Sequence, residues 1–419
     1  MADLSKIINN KEAHAQYMAD EIKHVCTTMP KRDPGSDGER MACEYFADVL
    51  KNQCGCERSE VEHYKENPGS FMGWIYITVT CALLGMISFF FIPVLGVILY
   101  ALGFAIMFLQ FGFYKKVVDK LFPEKIGSNV TAIKKCTGEV KGRVFFNGHP
   151  DAAWNWPFNH KFNGAVHDAV MISAVVGALV SFALCIAATI VTKCYVGVAS
   201  PLIYGEGLYY TGFAVLAFVP SLIAMYYLWD EKTVVDGAND NLTACLISVA
   251  ILKALHDEGI EFEHTEVGVI LTGSEEAGLR GAKAWCEAHK GEFDDVPTWI
   301  YSFDTIHDPK YLAVNYRDLN GTVKADKEVS DSFMEAAEQL GIHCTKGMVP
   351  PFGGATDSAA FAQAGFKATG VTGLNHIIEK YYHTVYDTYD NLNMQGIADC
   401  FAVAVKCLEN FDNRFGKDE

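Results

Sequence analysis

The chain has 419 residues, of which 50% are hydrophobic and only 20% are charged. Its formal net charge of −17 excludes the basic surface typical of nucleic-acid-binding proteins, so no nucleic-acid partner is expected. The high apolar content excludes an intrinsically disordered chain. The 13 cysteines are odd in number and form no C-x-x-C pair, which favours buried thiols in a reducing compartment.

The first predicted elements in chain order are a helix and a long apolar segment. Residues 39–52 carry apolar side chains at helical spacing. Residues 71–114 carry no charged side chain at all. A helix of that length would extend about 66 Å, so this segment predicts two membrane crossings with a turn near Pro93.

Two further uncharged runs follow a predicted buried strand over residues 142–148. Residues 169–192 and 207–229 are each long enough for one bilayer crossing. Buried core helices are the alternative interpretation, but four apolar segments of this length exceed what a soluble core needs. The sequence therefore predicts four transmembrane helices, grouped as the inserted hairpins 71–114 and 169–229.

The distribution of charge predicts the orientation of these hairpins. Four lysines follow the first hairpin closely, namely Lys115, Lys116, Lys120 and Lys125. The link 193–206 carries only Lys193 and Glu206. By the positive-inside rule the turns lie outside and the polar segments lie in the cytoplasm. We therefore expect a multi-pass protein of the lipid bilayer with a cytoplasmic catalytic domain.

The polar segments 1–70, 115–168 and 230–419 lie on one side of the membrane in this topology, because each hairpin contains an even number of spans. Strands and helices alternate in the last of them. They are a helix over 240–257, strands over 265–272 and 297–304, a helix over 331–341, a strand over 366–372 and a helix over 395–413. This alternation predicts one α/β domain in three layers, with a mostly parallel sheet covered on both faces.

Polar residues with metal-binding chemistry follow several of the predicted strands. His149 and Asp151 come directly after strand 142–148, and Glu275 and Glu276 come just after strand 265–272. Asp304 ends strand 297–304. Ligands of open α/β sheets collect beyond the carboxyl ends of the strands, so these side chains are expected to converge. Imidazole and carboxylate groups together fit zinc.

Taken in order, six segments carry a resemblance to a known family. They are Arg32-Asp-Pro-Gly-Ser36 with Glu39, Asn129-Val, His149-x-Asp151, Gly237-Ala-Asn-Asp-Asn241, Glu275-Glu276-x-Gly-Leu-x-Gly281 and His383-Thr-x-x-Asp387-Thr. With these motifs the polar part of the chain resembles the zinc aminopeptidase family of the MH clan. That family includes secreted bacterial di-zinc aminopeptidases, glutamate carboxypeptidase II and glutaminyl cyclase. The implied fold is a zinc-exopeptidase domain, here with four inserted transmembrane helices.

The resemblance implies two zinc ions and a role for each matching residue. Asp240 matches the carboxylate that bridges the two metals. His149 and Asp304 match the other ligands of one ion, and Glu276 and His383 match those of the second. The remaining matches are Glu275 with the general base, Asp151 with the carboxylate that orients the metal-binding histidine, and Tyr382 with a donor to the developing oxyanion. The implied activity is hydrolysis of the N-terminal peptide bond of peptides.

The sequence also departs from the family, and this keeps alternative functions open. The soluble members lack long apolar insertions, and the family's S-D-H turn has Ser358 in place of histidine here, after Asp357. A non-peptidase amide hydrolase, a glutaminyl-cyclase-like acyl transferase and a catalytically silent membrane scaffold are the alternatives. The cyclase works with one zinc, whereas the presence of all five ligands favours two.

The position of the second hairpin in the sequence suggests a substrate class. It lies between the predicted ligands His149 and Asp240, and the link before it is rich in aromatic residues, including Trp154 and Trp156. Such residues favour the membrane interface, although they could merely anchor the domain. The expectation is a catalytic mouth that opens near the bilayer surface and takes hydrophobic peptides.

Overall fold

The computed structural model describes residues 3–416 and contains an eight-stranded mixed sheet. The α/β class predicted from the sequence is therefore confirmed. The strands are β1 (Arg58–Glu66), β2 (Lys125–Lys134), β3 (Gly142–Gly148), β4 (Thr265–Thr272), β5 (Thr298–Ile306), β6 (Ala313–Asn315), β7 (Thr345–Gly347) and β8 (Lys367–Gly373).

The centre of the sheet is parallel and its outer strands are mixed. The strand order is β1-β2-β4-β3-β5-β8-β6-β7. Strands β4, β3, β5 and β8 are neighbours in this order and all run in the same direction. Strands β1 and β2 pair antiparallel, and β2 and β8 pair antiparallel with β4 and β6 respectively. The four central strands thus end at one edge of the sheet.

Two neighbouring phenylalanines of β3 show that helices cover both faces of the sheet. Consecutive side chains of a strand point to opposite faces of the sheet, so Phe145 and Phe146 lie on opposite faces. The Phe145 ring contacts Trp285 of the helix Arg280–Ala288, with centroids 6.1 Å apart. On the other face Phe146 stacks on Tyr301, which contacts Phe333 of the helix Lys327–Leu340. The domain therefore has three layers.

Four helices around the sheet match the sequence-based predictions in place but not always in length, namely Asp37–Asn52, Thr243–Asp257, Lys327–Leu340 and Met394–Phe415. The helices Ser5–Asn9, Lys11–Thr28, Arg280–Ala288 and Asp357–Gln363 were not predicted. The helix predicted to begin at residue 331 begins at Lys327 instead. The reason is an N-cap, because the Asp326 side chain accepts hydrogen bonds from the backbone N–H groups of Glu328 and Val329.

The described chain divides into two compact units. The first comprises the chain up to Pro68, Pro123–Trp154 and the chain from Lys232 onward, and it contains the eight-stranded sheet. The second comprises Gly69–Phe122 and Asn155–Glu231, and it is helical. Short strands also occur at Trp154–Asn155, Asp230–Val234, Arg317–Asp318 and Val323–Lys324.

Five helical segments of the described chain are long and apolar enough to cross a membrane. Four belong to the second unit, namely Ser70–Phe89, Pro93–Gly112, Gly164–Val191 and Glu206–Tyr227. The fifth, Ala238–Asp257, is 94% buried in the first unit and serves as a core helix there. The segment Glu206–Tyr227 is not one regular α-helix, because short 3₁₀ turns interrupt it at Val215–Phe218 and Met225–Tyr227.

Small residues allow the helices of the second unit to pack closely. A Cβ atom on Gly85 would lie 2.6 Å from the Tyr100 ring, and one on Gly96 would lie 2.6 Å from the Cys185 sulfur. Close approach through small residues is the usual way in which transmembrane helices associate, because lipid provides no hydrophobic driving force between them. Many large apolar side chains of this unit remain exposed.

Candidate metal centre

The loops that follow the four parallel strands bring the predicted site residues together in the first unit. His149 and Asp151 follow β3, and Glu275 and Glu276 form a 3₁₀ turn after β4. Asp304 lies near the end of β5, and His383 lies in the long loop after β8. All of these positions lie at the carboxyl ends of parallel strands, where α/β folds bind ligands.

Two groups of potential ligands share Asp240. One group is His149, Asp240 and Asp304, and the other is Asp240, Glu276 and His383. Within each group the ligand atoms lie within 4.8 Å of one another. The Oδ1 atom of Asp240 is 3.4 Å from Nε2 of His149, and its Oδ2 atom is 3.0 Å from Nε2 of His383. The two oxygens of one carboxylate thus face two separate groups.

The donor set fits two zinc ions. Each group offers one imidazole nitrogen and two carboxylates, and both kinds of group bind zinc. Within the described chain, the buried Nε2 atom of His149 makes no hydrogen bond of acceptable geometry. A buried polar atom without a hydrogen bond costs free energy, and coordination to a cation would remove that cost.

Electrostatics at the site also favour bound cations. Burial raises the pKa of Glu275, and although His149 opposes this shift, the carboxyl groups of Asp304 and Asp357 add to it. Burial and the Asp240 charge likewise raise the pKa of Asp304. Burial alone would lower the pKa of His383, but the adjacent carboxylates raise it to about 10. These shifts describe an excess of buried negative charge that divalent cations would neutralise.

Asp151 contacts two backbone N–H groups in addition to His149, the histidine that the sequence analysis expected it to orient. Its Oδ1 atom lies 3.3 Å from Nδ1 of His149 and accepts the backbone N–H of Glu275. Its Oδ2 atom accepts the backbone N–H of Glu276. A single buried carboxylate therefore lies beside one expected ligand and holds the start of the turn that carries the expected base and a second ligand.

Replacing Asp151 with asparagine is expected to weaken metal binding or activity by about 10–100-fold, as loss of an outer-shell partner of a metal ligand usually does. An amide places an NH₂ group against one of the N–H donors that the carboxylate now satisfies. Zinc retention during chelator titration and kcat/KM measure the effect. Asp295→Asn is the matched control, since Asp295 pairs with Arg143 away from the site. Equal zinc retention and equal kcat/KM in the two variants would contradict the prediction.

The loop that carries Asp240 is held by residues whose roles the sequence did not reveal. Asp387 accepts the backbone N–H groups of Asn239 and Asp240 on separate oxygens, at 2.7 and 3.1 Å. Asn241 donates to the Phe303 carbonyl and accepts from the Thr305 N–H, which ties the loop to the end of β5. The sequence indicated Asp387 only through its position four residues after His383 in the family motif.

Arg32 and Gly237 complete the support of this loop. The buried Arg32 guanidinium donates to the carbonyls of Pro150, Asp236 and Gly237, so it joins the His149 loop to the Asp240 loop. Gly237 has a left-handed backbone with φ of 59°. A Cβ atom there would lie 2.7 Å from Cβ of Ala152, so only glycine fits at this position.

Tyr382 and Glu275 lie beside the two groups of ligands. The Tyr382 ring stacks on the His383 ring, with centroids 4.1 Å apart. Burial raises the pKa of Tyr382, and the carboxylates of Asp240 and Glu276 raise it further. Glu275 Oε2 lies 3.9 Å from Nε2 of His149. Both side chains therefore lie next to histidines of the two ligand groups.

The segment that departs from the family pattern takes part in a separate hydrogen-bond network. The Ser358 hydroxyl donates to Asp318 at 2.7 Å, and the Thr356 hydroxyl donates to the same oxygen. Asp357 accepts from the Thr272 hydroxyl at the end of β4. Ser358 therefore anchors the start of the helix Asp357–Gln363 to Asp318.

Comparisons with known proteins agree with the fold. Residues 228–408 match the model of Peptidase family M28, which confirms the resemblance to the zinc aminopeptidases of the MH clan. No curated protein matches the sequence directly.

Two solved structures illustrate the likeness of fold. The zinc aminopeptidase BSAP from Bacillus subtilis is 11% identical, with a TM-score of 0.55 over 94% of this chain and 94% of that chain. A glutaminyl cyclase from an Acidobacteriales bacterium is 12% identical, with a TM-score of 0.53 over 96% of this chain and 95% of that chain. At these identities the comparison establishes the fold alone.

Proposed function

We propose that this chain is a membrane-embedded di-zinc exopeptidase that hydrolyses the N-terminal peptide bond of peptides. The observation that carries the proposal is the Asp240 carboxylate, whose two oxygens face His149 and His383 in two separate ligand groups. The match to Peptidase family M28 supports zinc-dependent exopeptidase chemistry at this centre. Asp304 completes the first ligand group, and Glu276 completes the second.

The residues of the chain would divide the chemistry between them. Zinc, when bound, would supply Lewis-acid polarisation of the scissile carbonyl and of the attacking water. Glu275 would accept the proton of that water and pass it to the leaving amine. The Tyr382 hydroxyl would donate to the oxyanion that develops on the carbonyl. Asp151 would hold the Glu275–Glu276 turn in place.

The purified full chain in detergent provides the test. Zinc per chain is measured alongside a screen of aminoacyl-p-nitroanilides and dipeptides, with chelator and with zinc restored. Hydrolysis that requires a free N-terminus, disappears with chelator and returns with zinc is the expected result. An N-acetylated copy of the best substrate is the matched control, and hydrolysis of that copy at the same rate would contradict an aminopeptidase.

A glutaminyl-cyclase-like acyl transferase is the second candidate, favoured by the likeness to glutaminyl cyclases. A peptide with N-terminal glutamine, assayed for ammonia release, separates it from the peptidase. Ammonia release without cleavage of any peptide bond would replace the proposed function with cyclisation. Bound zinc without turnover of any substrate would favour a membrane scaffold.

The proposed topology places both turns of the hairpins outside and the segments of the first unit in the cytoplasm. The exposed native Cys194 follows the helix Gly164–Val191 and provides a probe. We expect an impermeant maleimide to label Cys194 in intact cells, and Cys194→Ser to abolish that label. A cysteine introduced at Lys125 is expected to react only after permeabilisation. Labelling of the cysteine at position 125 in intact cells, without labelling of Cys194, would show the opposite orientation.

The proposed substrates are hydrophobic peptides, a proposal based on the place of the second hairpin in the sequence. Its helices lie between the expected ligands His149 and Asp240 along the chain. Matched peptides with the same N-terminal residue but apolar or polar remaining residues test this preference in detergent and in lipid. Equal kcat/KM values for both peptides would contradict the proposed preference for hydrophobic peptides but not the proposed exopeptidase activity.

A further inference from the structure

Two buried carboxyl groups meet at the hydroxyl of Ser274, the residue that precedes the proposed base. The Oγ atom of Ser274 is 2.6 Å from Oε2 of Glu39 and 2.6 Å from Oε1 of Glu66. Glu39 is fully buried, and Glu66 is 3% exposed. Neither carboxyl group belongs to the two ligand groups, and the proposed mechanism uses neither of them.

A count of protons shows that these three groups cannot all be in their usual states. A serine hydroxyl has one proton, so it donates to only one of two carboxyl oxygens. The second contact of 2.6 Å needs a proton of its own, and only a carboxyl group can provide it. Two ionised carboxylates would leave that contact repulsive in a buried place, where repulsion is strongest.

The surroundings of the two carboxyl groups decide which one keeps the proton. Glu39 accepts the backbone N–H of Ser128 on Oε1 and that of Gly35 on Oε2, so both of its oxygens face donors. Such bonds stabilise the ionised form. In the described part of the chain, Oε2 of Glu66 has no hydrogen-bond partner. An oxygen without donors suits a protonated carboxylic acid.

The electrostatic environment agrees with one proton kept by this pair of carboxyl groups. Burial raises the pKa of Glu66 to about 7. The Ser274 hydrogen bond opposes this shift, the charge of Asp151 adds to it, and Arg280 and Lys125 are the cations that oppose it. Burial and the neighbouring acids Asp151 and Glu66 also raise the pKa of Glu39. The pair therefore retains a proton well above the usual range of carboxyl groups.

Ser274 is placed where its orientation matters for catalysis. Its backbone has φ of 54°, an uncommon left-handed conformation for a residue with a side chain. Its carbonyl accepts the N–H groups of Ala277 and Arg280, so it starts the turn that carries Glu275. Tyr64 holds the preceding carbonyl, that of Gly273, through its hydroxyl. A residue in a strained conformation keeps it only when its surroundings hold it there.

We propose that Glu66 is a neutral carboxylic acid at neutral pH and acts as a positioning residue for Glu275. Its proton is donated to Ser274 Oγ, and the Ser274 proton is donated to the Glu39 carboxylate. This chain of hydrogen bonds holds the left-handed Ser274 and so fixes the turn that presents Glu275. The proposal of a role in catalysis rests on the proposed function, whereas the protonation state does not.

Conservative substitutions test the direction of the hydrogen bonds. Glu66→Gln supplies an amide donor in place of the acid O–H, so kcat/KM is expected within about threefold of the wild type. Glu66→Ala leaves Ser274 without its donor, and Glu39→Gln turns an NH₂ group towards a backbone N–H. Each of these two variants is expected to lose about tenfold or more in kcat. If Glu39→Gln keeps its activity while Glu66→Gln loses about tenfold or more in kcat, the proton lies on Glu39 and the proposal is overturned.

A measurement without substrate keeps this inference separate from the proposed function. The infrared spectrum of the full chain in D₂O at neutral pH is compared between the wild type and Glu66→Gln. The expected difference is the loss of one carbonyl band of a protonated carboxyl group. An unchanged band, with loss of a carboxylate band instead, would show that Glu66 is ionised and would overturn the proposal even if the enzyme is fully active.

Discussion

Glu275→Gln is expected to lower turnover by about 10²–10⁴-fold while the zinc content stays near that of the wild type. The amide keeps the shape of the side chain but cannot accept the proton of the attacking water. Glu275 belongs to neither ligand group, and its Oε2 atom lies 3.9 Å from Nε2 of His149. Loss of the base therefore should not release the metal.

The neighbouring glutamate provides the matched control for this experiment. Glu276→Gln makes the same chemical change one residue later, at a predicted ligand of the second ion. We expect this variant to lose zinc as well as activity, because an amide oxygen is a weaker ligand than a carboxylate. Zinc per chain and kcat, measured on both variants in the same detergent, separate the two roles. Full zinc and activity within a few-fold of the wild type in Glu275→Gln would assign the base to another group.

The sequence predicts the centre of the fold well because the central strands are buried on both faces. Strands β3 and β4 have the bounds predicted for them, since short apolar runs between polar loops leave little choice of element. The fold class followed from the alternation of such runs with helical patterns. The apolar insertions were equally easy to recognise in the sequence, because uncharged segments of that length are rare in soluble domains.

The outer elements were not predicted because their apolar pattern is weak. Strand β1 reads Arg-Ser-Glu-Val-Glu-His-Tyr-Lys-Glu and lies at the edge of the sheet, where charged residues are tolerated on exposed positions. The helix Lys11–Thr28 buries only Ala15, Met18, Ile22 and Val25 among many polar residues. In both elements, tertiary packing rather than local pattern decides the structure.

The site could be predicted only where residues follow strands directly. His149 and the Glu275–Glu276 pair were visible from chemistry and position, whereas the sharing of Asp240 came from the family resemblance. The contacts of Asp151 with two backbone N–H groups join segments more than 120 residues apart in the chain. Contacts of that kind depend on the register of β3 against β4, which no local pattern reveals.

Asp240→Asn is expected to reduce the bound zinc at both positions and to lower kcat/KM by at least about 100-fold. The asparagine side chain has nearly the same shape, but only one of its two terminal atoms can bind a metal. Because the two carboxylate oxygens face His149 and His383 separately, one substitution weakens both ligand groups. Single-group variants such as Asp304→Asn should instead reduce zinc from two ions per chain towards one.

A control in the same loop distinguishes this effect from a general loss of structure. Asp236 lies four residues earlier and pairs with Lys31 outside the centre, so Asp236→Asn is expected to keep two zinc ions and its activity. Metal analysis of the purified variants, with unfolding temperatures as a check of folding, measures the outcome. One ion retained in full by Asp240→Asn would show that the carboxylate serves a single metal. A wild-type content of one zinc would contradict the two-ion centre itself, because the shared carboxylate would then have only one cation to bind.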